Sequence, residues 1–358
     1  MTVTREMGTV LPDTSMTSPV YIDARKEPFV LSGFYAPYTR MPLDVAEKVS
    51  KDVYRISQMT PGCRVRFRTN SEFIAFHADI PYEEKYNSES LLVRSGFDIY
   101  FKENGKYMCR GILAPSEAEG KPYHEARWKY SGEMKDVVIF FPRNCHISNF
   151  YIGLQEGCTL DYPSEYKYKK PVLFYGSSIV HGCGSSRPSS SYPCLISRRL
   201  DCDFINLGFG GAAKGEIPMM EYIAEQDMSV FVYDYDHNAP SPEHLRDTHF
   251  RGYEIFRKKH PDTPVIMASK VDYHHSTTGE YLHSDVSENA VRRGIILESY
   301  NRALALGDKN VYFVDGREIY PEDKREECTF DGCHPSDVGY QLMADAFGGI
   351  IAGLLGAK

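Results

Sequence analysis

Several features are missing from this 358-residue sequence, and each absence narrows the class of protein that it can encode. No run of ~20 apolar residues occurs, so no membrane-spanning helix is expected. Internal repeats and low-complexity tracts are absent, and tryptophan occurs only at Trp128. A formal net charge of −8 lacks the basic excess that a nucleic-acid partner favours. We therefore expect neither an integral membrane protein nor a nucleic-acid-binding protein.

The nine cysteines form no Cys-x-x-Cys pair, and no metal-ligand spacing is present. The stretch from Met1 to Ser18 is polar and has no apolar signal core. These observations predict a cytoplasmic protein with reduced thiols and without a metal or another cofactor. The sequence leaves open whether the chain forms a homo-oligomer.

The first part of the chain, residues 1–165, shows mostly the period-two pattern of β-strands. In the stretch 63–69, apolar residues alternate with arginines, which we expect on a solvated strand face. Asn104-Gly105 lies between two apolar runs and is typical of a type I′ hairpin. One early segment, Asp44 to Met59, has a helical pattern instead. The pattern as a whole predicts an N-terminal β-sandwich domain.

The second part of the chain, residues 170–358, shows strands that alternate with helices. The polar stretch 162–171 contains two prolines and separates the two predicted domains. The predicted strands are Val172–Tyr175, Phe204–Leu207, Val230–Tyr235, Val265–Ser269 and Val311–Asp315. Such alternation is typical of an α/β fold that has a parallel sheet with helices on both faces.

Two short motifs in this second part are candidates for catalysis. The first predicted strand ends at Gly176, and Ser177 and Ser178 follow at once. Open α/β folds bind ligands at the carboxyl ends of their strands, so a serine there can reach a substrate. Near the other end of the chain, Asp331 and His334 lie three residues apart. Such an Asp can orient the imidazole that activates a serine, which suggests a Ser-His-Asp hydrolase.

Each motif also has an ordinary structural interpretation. Gly-Ser-Ser is common in loops, and Asp-x-x-His before Pro335 is typical of a helix cap.

Two further strand ends carry suggestive residues. The glycines of the stretch 206–212 either let a backbone N–H approach a ligand or form a tight turn. Asn238 either donates its amide to an oxyanion or forms a turn.

The order of these residues resembles the SGNH (GDSL-type) hydrolase superfamily over residues 170–358. The resemblance implies a flavodoxin-like three-layer α/β/α domain with a catalytic triad. It implies that Ser178 is the nucleophile, that His334 is the base and that Asp331 orients the base. It also implies an oxyanion hole made of the Ser178 and Gly211 N–H groups and the Asn238 amide.

This sequence departs from the family pattern at three places. Ser177 replaces the usual Asp, so either serine is a candidate nucleophile, with Ser178 favoured. The segment that ends in Asn238 reads Tyr-Asp-His-Asn where the family usually has Gly-x-Asn-Asp. The glycine donor is Gly211, with Gly210 as the alternative.

The N-terminal part resembles a known domain as well. Ser95-Gly-Phe-Asp-Ile-Tyr100 matches the Gly-x-Asp-Leu-Tyr motif of a jelly-roll-like β-sandwich that precedes some SGNH hydrolases. This layout is similar to bacterial esterases that remove acetyl groups from plant polysaccharides. The resemblance implies a serine esterase that hydrolyses small acyl esters, acetyl above all, through an acyl-enzyme intermediate. Its partner would be a small-molecule or oligosaccharide ester.

Two other functions stay open at this point. An esterase or lipase for longer acyl chains would need an apolar lid, and the best lid candidate, Tyr273 to Arg293, is polar. A non-catalytic glycan-binding protein with a degenerate hydrolase domain would not need an intact Ser178, Asp331 and His334. If the triad assembles, Cys183 and Cys333 should both lie close to the catalytic centre.

Overall fold

The computed structural model of the chain describes residues 1–35, 38–85, 89–114, 121–271 and 288–357. The chain divides into two compact units. Unit 1 comprises Met1–Arg40, Gln58–Tyr166 and Arg187–Ser189, and unit 2 comprises Met41–Ser57, Lys167–Ser186 and Ser190–Lys358. Each unit is made of three separate segments of the chain, so its limits differ from those of a single continuous domain. The domain limits 1–165 and 170–358 therefore stay a prediction. Most of the candidate lid segment Tyr273 to Arg293, namely residues 273–287, lies outside the described residues.

Unit 1 is built from antiparallel strands. Its described strands are β1 (Val20–Asp23), β2 (Val30–Ser32), β3 (Arg64–Thr69), β4 (Phe73–Asp79), β5 (Tyr82–Glu83), β6 (Phe97–Glu103), β7 (Lys106–Leu113), β8 (Tyr123–Lys129), β9 (Lys135–Phe140), β10 (Cys145–His146), β11 (Asn149–Leu154) and β12 (Leu160–Asp161). One sheet has the order β1-β11-β4-β8. Another has the order β12-β3-β9-β6-β7, with β2 also paired to β3, and β5 pairs with β10.

The two large sheets share one hydrophobic core, which confirms the predicted β-sandwich. Phe67 of β3 and Ile139 of β9 are fully buried in the same cluster as Phe76 of β4 and Ile152 of β11. The predicted hairpin is also present, because Asn104-Gly105 joins β6 to β7 with positive φ angles of 50° and 76°. Such angles are the ones that a type I′ turn requires.

Two of the three arginines in the stretch 63–69, Arg64 and Arg66, do not lie on a solvated face as predicted, whereas Arg68 is partly exposed. Arg64 is fully buried and Arg66 is 7% exposed. The Nε atom of Arg64 donates to the hydroxyl of Tyr166 over 2.7 Å. The guanidinium of Arg66 lies 3.8 Å from the centroid of the Tyr166 ring. One aromatic side chain thus covers both cations, and alternation alone could not reveal that cover.

The described α-helices account for the helical patterns of the sequence. They are α1 (Leu43–Val49), α2 (Lys51–Ile56), α3 (Leu91–Ser95), α4 (Ser178–His181), α5 (Tyr192–Leu200), α6 (Ile217–Ala224), α7 (Pro242–Lys259), α8 (Asn289–Ala305) and α9 (Asp337–Leu354). The predicted early helix is confirmed as two short helices, which Ser50 separates by capping α2. Within the described ranges, no helix combines the length and the apolar character needed to cross a membrane.

Unit 2 contains the predicted parallel sheet. Its strands are β13 (Tyr168–Gly176), β14 (Cys202–Gly208), β15 (Val230–Asp234), β16 (Val265–Ala268) and β17 (Val311–Val314), in the order β14-β13-β15-β16-β17. This is the 2-1-3-4-5 order of flavodoxin-like folds. Helix α5 packs against α9, whereas α7 packs against both α6 and α8. The flavodoxin-like α/β prediction is therefore confirmed.

The strand register brings three strand ends to one edge of this sheet. Gly176, the last residue of β13, lies opposite Gly208 of β14 and Asp234 of β15. The residues that follow these three positions therefore meet at the carboxyl edge. A Cβ atom at Gly176 would lie only 2.0 Å from the Asp234 carbonyl oxygen, so glycine is required for this close approach.

We predict that Gly176→Ala destabilises unit 2 strongly, because its methyl group would overlap the backbone of β15. A cost above about 2 kcal/mol is expected for such overpacking, measured as a fall in Tm. The matched control is Gly349→Ala, because a Cβ atom there meets nothing within 4 Å inside helix α9. That control should keep or raise the Tm. Equal effects of the two substitutions would contradict the register argument.

Candidate active site

The two neighbouring serines at the end of β13 play different structural parts. The Ser177 side chain is fully buried, and its hydroxyl accepts the Ile179 N–H over 3.1 Å, which caps α4. Ser178 is the first residue of that helix, and its hydroxyl points elsewhere, toward His334. The structure thus gives Ser177 a capping contact and leaves the Ser178 hydroxyl for chemistry.

A continuous chain of hydrogen bonds joins Ser178, His334 and Asp331. The Ser178 Oγ atom lies 2.9 Å from Nε2 of His334. The other ring nitrogen, Nδ1, lies 2.7 Å from Oδ2 of Asp331. These are the lengths and the atom pairings that a nucleophile, a base and an orienting acid need. The three residues proposed from the sequence are therefore brought together, although their roles stay a prediction.

A tight turn holds Asp331 against His334. The Oδ1 atom of Asp331 accepts the backbone N–H groups of Cys333 and His334 over 2.9 and 2.7 Å. The Phe330 N–H donates to the His334 carbonyl, which closes the turn. The following helix α9 is capped by Ser336 rather than by Asp331. The helix-cap interpretation of Asp331 is therefore not what the structure shows.

Opposing influences set the pKa values of this pair. Burial raises the pKa of Asp331, but hydrogen bonds from His334 and Cys333 outweigh it and lower the pKa to about 2. Burial lowers the pKa of His334, but hydrogen bonds to Asp331 and to the Cys183 thiol outweigh it and raise the pKa to about 10. Asp331 is thus ionised at neutral pH, and the imidazole is a strong base that holds a proton readily.

The backbone of the loop that follows β14 is hydrogen-bonded to the end of β13, two residues before Ser178. The Phe209 N–H donates to the Gly176 carbonyl over 2.9 Å. Asn238, in the turn after β15, donates its Nδ2 to the Phe209 carbonyl over 2.8 Å. One of the two N–H groups of this amide therefore positions the loop. The structure brings Asn238 into the site, but it also gives the side chain a role that the sequence did not suggest.

The two candidate glycines lie differently in this loop. A Cβ atom on Gly210 would lie 3.3 Å from the Ser178 Cβ, so Gly210 passes directly beside the nucleophile. Gly211 has a φ of 70°, and a Cβ atom there would meet nothing within 4 Å. The positive φ of Gly211 thus favours glycine at this position, whereas a side chain at 210 would be crowded against Ser178. Gly211 as the oxyanion donor stays a prediction, and Gly210 stays its alternative.

His237 and Lys270 are two further polar residues of this region, and the sequence analysis did not single them out. The His237 Nδ1 atom lies 4.0 Å from the Cys333 sulfur, and burial lowers the pKa of His237 well below its usual range. Lys270 is 7% exposed and exerts its charge on both His237 and Cys333. Lys270 follows a predicted strand end, so the signal that found Asn238 could have found it as well.

A buried tyrosine links the segment that follows Ser178 to the helix that follows His334. The Tyr340 hydroxyl of helix α9 lies 3.0 Å from the Ile179 carbonyl and 2.6 Å from the Cys183 carbonyl. Helix α9 follows the turn with His334, whereas Ile179 and Cys183 follow Ser178. Tyr340 therefore fixes the position of one segment relative to the other. The sequence analysis did not single out Tyr340.

No group of three or more metal-ligating side chains gathers among the residues that the structure describes. What does gather is a serine, an imidazole and a carboxylate at the carboxyl edge of a parallel sheet. That fold and that arrangement together define the class of serine-dependent α/β hydrolases.

Comparison with family models narrows this class. The model of the GDSL-like lipase/acylhydrolase family matches residues 169–352, and the chain belongs to this family. A second model, for the N-terminus of SGNH hydrolase-type esterases (GxDLY), matches residues 20–160. The protein is therefore a carboxylic ester hydrolase. The sequence matches no curated protein.

Solved structures agree with this assignment. A Bacteroides ovatus protein described as a GDSL-like lipase is 25% identical, with a TM-score of 0.84 over 94% of this chain and 98% of its own. The salicylyl-acyltransferase SsfX3 from a tetracycline biosynthetic pathway is 19% identical and has a TM-score of 0.76. The match covers 96% of this chain and 100% of the acyltransferase chain. A family two carbohydrate esterase from Clostridium thermocellum, in complex with cellohexaose, is 15% identical and has a TM-score of 0.60. The match covers 84% of this chain and 94% of the esterase chain. The last two likenesses concern the fold alone.

The raised pKa of His334 predicts the pH profile. A general base must be neutral, so kcat/KM should rise with pH through one group whose midpoint lies above the ordinary imidazole value of 6.5. Asp331→Asn removes the hydrogen-bonded carboxylate that raises the pKa. That substitution should lower the midpoint and reduce kcat by about ten-thousand-fold. An unshifted midpoint in Asp331→Asn would show that another group controls the profile.

Proposed function

We propose that this protein is a serine esterase that removes small acyl groups, acetyl above all, from carbohydrates. The observation that carries the esterase mechanism is the hydrogen-bond chain from Ser178 Oγ to His334 Nε2 and from His334 Nδ1 to Asp331 Oδ2, at 2.9 and 2.7 Å. Membership in the GDSL-like family supports the same chemistry.

In the proposed mechanism the Ser178 oxygen attacks the ester carbonyl while His334 accepts the hydroxyl proton. Asp331 keeps the imidazole in the required tautomer and stabilises the imidazolium that forms. The N–H groups of Ser178 and Gly211 and the second N–H of the Asn238 amide bind the oxyanion. Each such donor lowers the barrier by about 3 kcal/mol. The alcohol leaves with the proton from His334, and water then releases the acyl group from the acyl-enzyme.

An exposed aromatic ring supports a carbohydrate as the alcohol part of the ester. Phe330 is 42% exposed, and its ring lies nearly parallel to the His334 ring, with 5.9 Å between the centroids. A large exposed ring beside a catalytic imidazole offers an apolar surface on which the flat face of a sugar can rest. The Clostridium thermocellum carbohydrate esterase, whose fold is similar, was solved with cellohexaose. An acetylated oligosaccharide is therefore the proposed substrate.

We predict that Ser178→Ala abolishes esterase activity and leaves the fold intact. A phosphonate directed at active-site serines should add mass to Ser178 and not to Ser177. The matched control, Ser177→Ala, keeps the nucleophile and should cost only about 1 kcal/mol through the lost helix cap. A phosphonate adduct on Ser177, with full activity in Ser178→Ala, would reverse the assignment.

A panel of p-nitrophenyl esters from acetyl to octanoyl tests the acyl preference. The acetyl ester should give the highest kcat/KM, with progressive losses for longer chains. A maximum at octanoyl would favour the lipase alternative. Absence of turnover for every ester, together with tight glycan binding, would favour a non-catalytic glycan-binding protein.

The Phe330 ring leads to a separate prediction. Phe330→Ala should raise KM for an acetylated oligosaccharide about tenfold, because it removes the apolar surface under one sugar. It should leave KM for p-nitrophenyl acetate unchanged, since that ester carries no sugar. Leu306→Ala is the control, because Leu306 is 70% exposed and belongs to another part of unit 2. Equal losses on both substrates would remove the sugar-binding role.

A further inference from the structure

A cysteine shares the catalytic imidazole with the candidate nucleophile. The Cys183 N–H donates to the Ser178 carbonyl over 2.8 Å, and the Cys183 carbonyl accepts the Tyr340 hydroxyl. These two backbone contacts fix Cys183 one turn after Ser178. Its side chain forms a hydrogen bond with His334 and is half-buried. His334 therefore contacts two potential nucleophiles, the Ser178 hydroxyl and the Cys183 thiol.

The chemistry of this contact favours a reactive thiol. A thiol is far more acidic than a serine hydroxyl, and a neighbouring imidazolium stabilises the thiolate. The base that is poised to take a proton from Ser178 can therefore take one from Cys183. Its partial exposure gives small electrophiles access to the sulfur, whereas the thiols of Cys194 and Cys202 in the same unit are buried.

A second cysteine, Cys333, immediately precedes His334 in the chain. Its N–H donates to Asp331 Oδ1 over 2.9 Å. Both Cys183 and Cys333 act electrostatically on His334 and on each other. Burial raises the pKa of Cys333, so this thiol stays protonated. In this cluster Cys183 is suited to react first with an oxidant, and Cys333 is suited to react second.

We propose that Cys183 is a modification site for peroxides and that Cys333 resolves the oxidised product into a Cys183–Cys333 disulfide. The Cys183 thiolate attacks the peroxide, so an S–O bond forms and the O–O bond breaks. The leaving hydroxide takes the proton held by His334 and departs as water. The Cys333 thiol then loses its proton as its sulfur attacks the sulfenic acid on Cys183. An S–S bond forms, the S–O bond breaks, and the hydroxide that leaves takes up this proton and departs as a second water. Two thiols and one hydrogen peroxide thus give one disulfide and two waters.

The disulfide should switch off the esterase, an effect that rests on the proposed function. Cys333 is adjacent to His334 in the chain, and its N–H holds the same carboxylate that orients the imidazole. A bridge to Cys183 pulls on this turn and displaces His334 from Ser178. A shift of about 1 Å at a catalytic group can reduce the rate about 100-fold. The bridge also requires Cα atoms within about 7 Å of each other.

The test uses the full-length protein treated with hydrogen peroxide, followed by capping of the free thiols and peptide mapping by mass spectrometry without reductant. A linked pair of peptides that contain Cys183 and Cys333 is expected. In Cys333→Ser the sulfenic acid on Cys183 should persist and be trapped by dimedone. In Cys183→Ser neither product should form. Cys109→Ser is the matched control, because Cys109 is exposed in unit 1 and its loss should leave the link unchanged.

Activity gives a second readout of the same samples. Oxidised wild-type protein should lose about 100-fold in kcat/KM and recover with dithiothreitol. Cys183→Ser should keep the activity that it had before oxidation. The proposal is overturned if Cys183 stays a capped thiol under conditions that oxidise Cys109, or if Cys183→Ser is inactivated as fast as wild type. If the link forms in a protein without esterase activity, the modification site stands and the proposed function fails.

Discussion

The close approach of backbones at the carboxyl edge of the unit 2 sheet is the constraint on which the site depends. A Cβ atom on Gly176 would lie 2.0 Å from the Asp234 carbonyl, and one on Gly208 would lie 2.2 Å from the His181 nitrogen. Without side chains at these two positions, β13 can approach β15 and the β14 loop can reach α4. The Phe209 N–H then bonds to the Gly176 carbonyl, which fixes the loop beside Ser178. Packing at this edge therefore sets the position of Ser178 relative to the loop that follows β14.

The site also depends on the hydrogen-bonded pair Asp331 and His334, whose pKa values are shifted in opposite directions. Asp331 uses one oxygen to hold the turn and the other to hold the imidazole, so one carboxylate fixes both the location and the tautomer of His334. This arrangement keeps Asp331 ionised despite burial, because each of its oxygens accepts hydrogen bonds. The imidazole gains basicity from the same contact. Structure and reactivity of the site thus depend on the same few hydrogen bonds.

Much of this arrangement could be predicted from the sequence, because it is encoded locally. The five parallel strands are short apolar runs, and the serine and the Asp-x-x-His turn follow strand ends or a short connection. Other features depend on distant partners. The cover of Arg64 and Arg66 by Tyr166, and the link from Tyr340 to Ile179 and Cys183, join residues about 100 or more positions apart. Periodicity carries no information about such partners.

The Gly-x-Asp-Leu-Tyr motif of unit 1 illustrates how a short motif acquires a physical meaning only in the structure. Asp98 is fully buried within β6, which is unusual for a carboxylate. Its Oδ2 accepts both the backbone N–H and the hydroxyl of Ser189, over 3.0 and 2.6 Å. The Tyr100 hydroxyl lies 3.0 Å from the same Ser189 oxygen. Asp98 and Tyr100, the two polar residues of the motif, therefore both contact Ser189. This serine belongs to the short segment Arg187–Ser189, which is part of unit 1 although it follows Ser178 in the chain. The cost of burying the Asp98 carboxylate is offset by the two hydrogen-bond donors of Ser189. The Asp of the motif therefore depends on Ser189, a residue that lies 91 positions away in the chain.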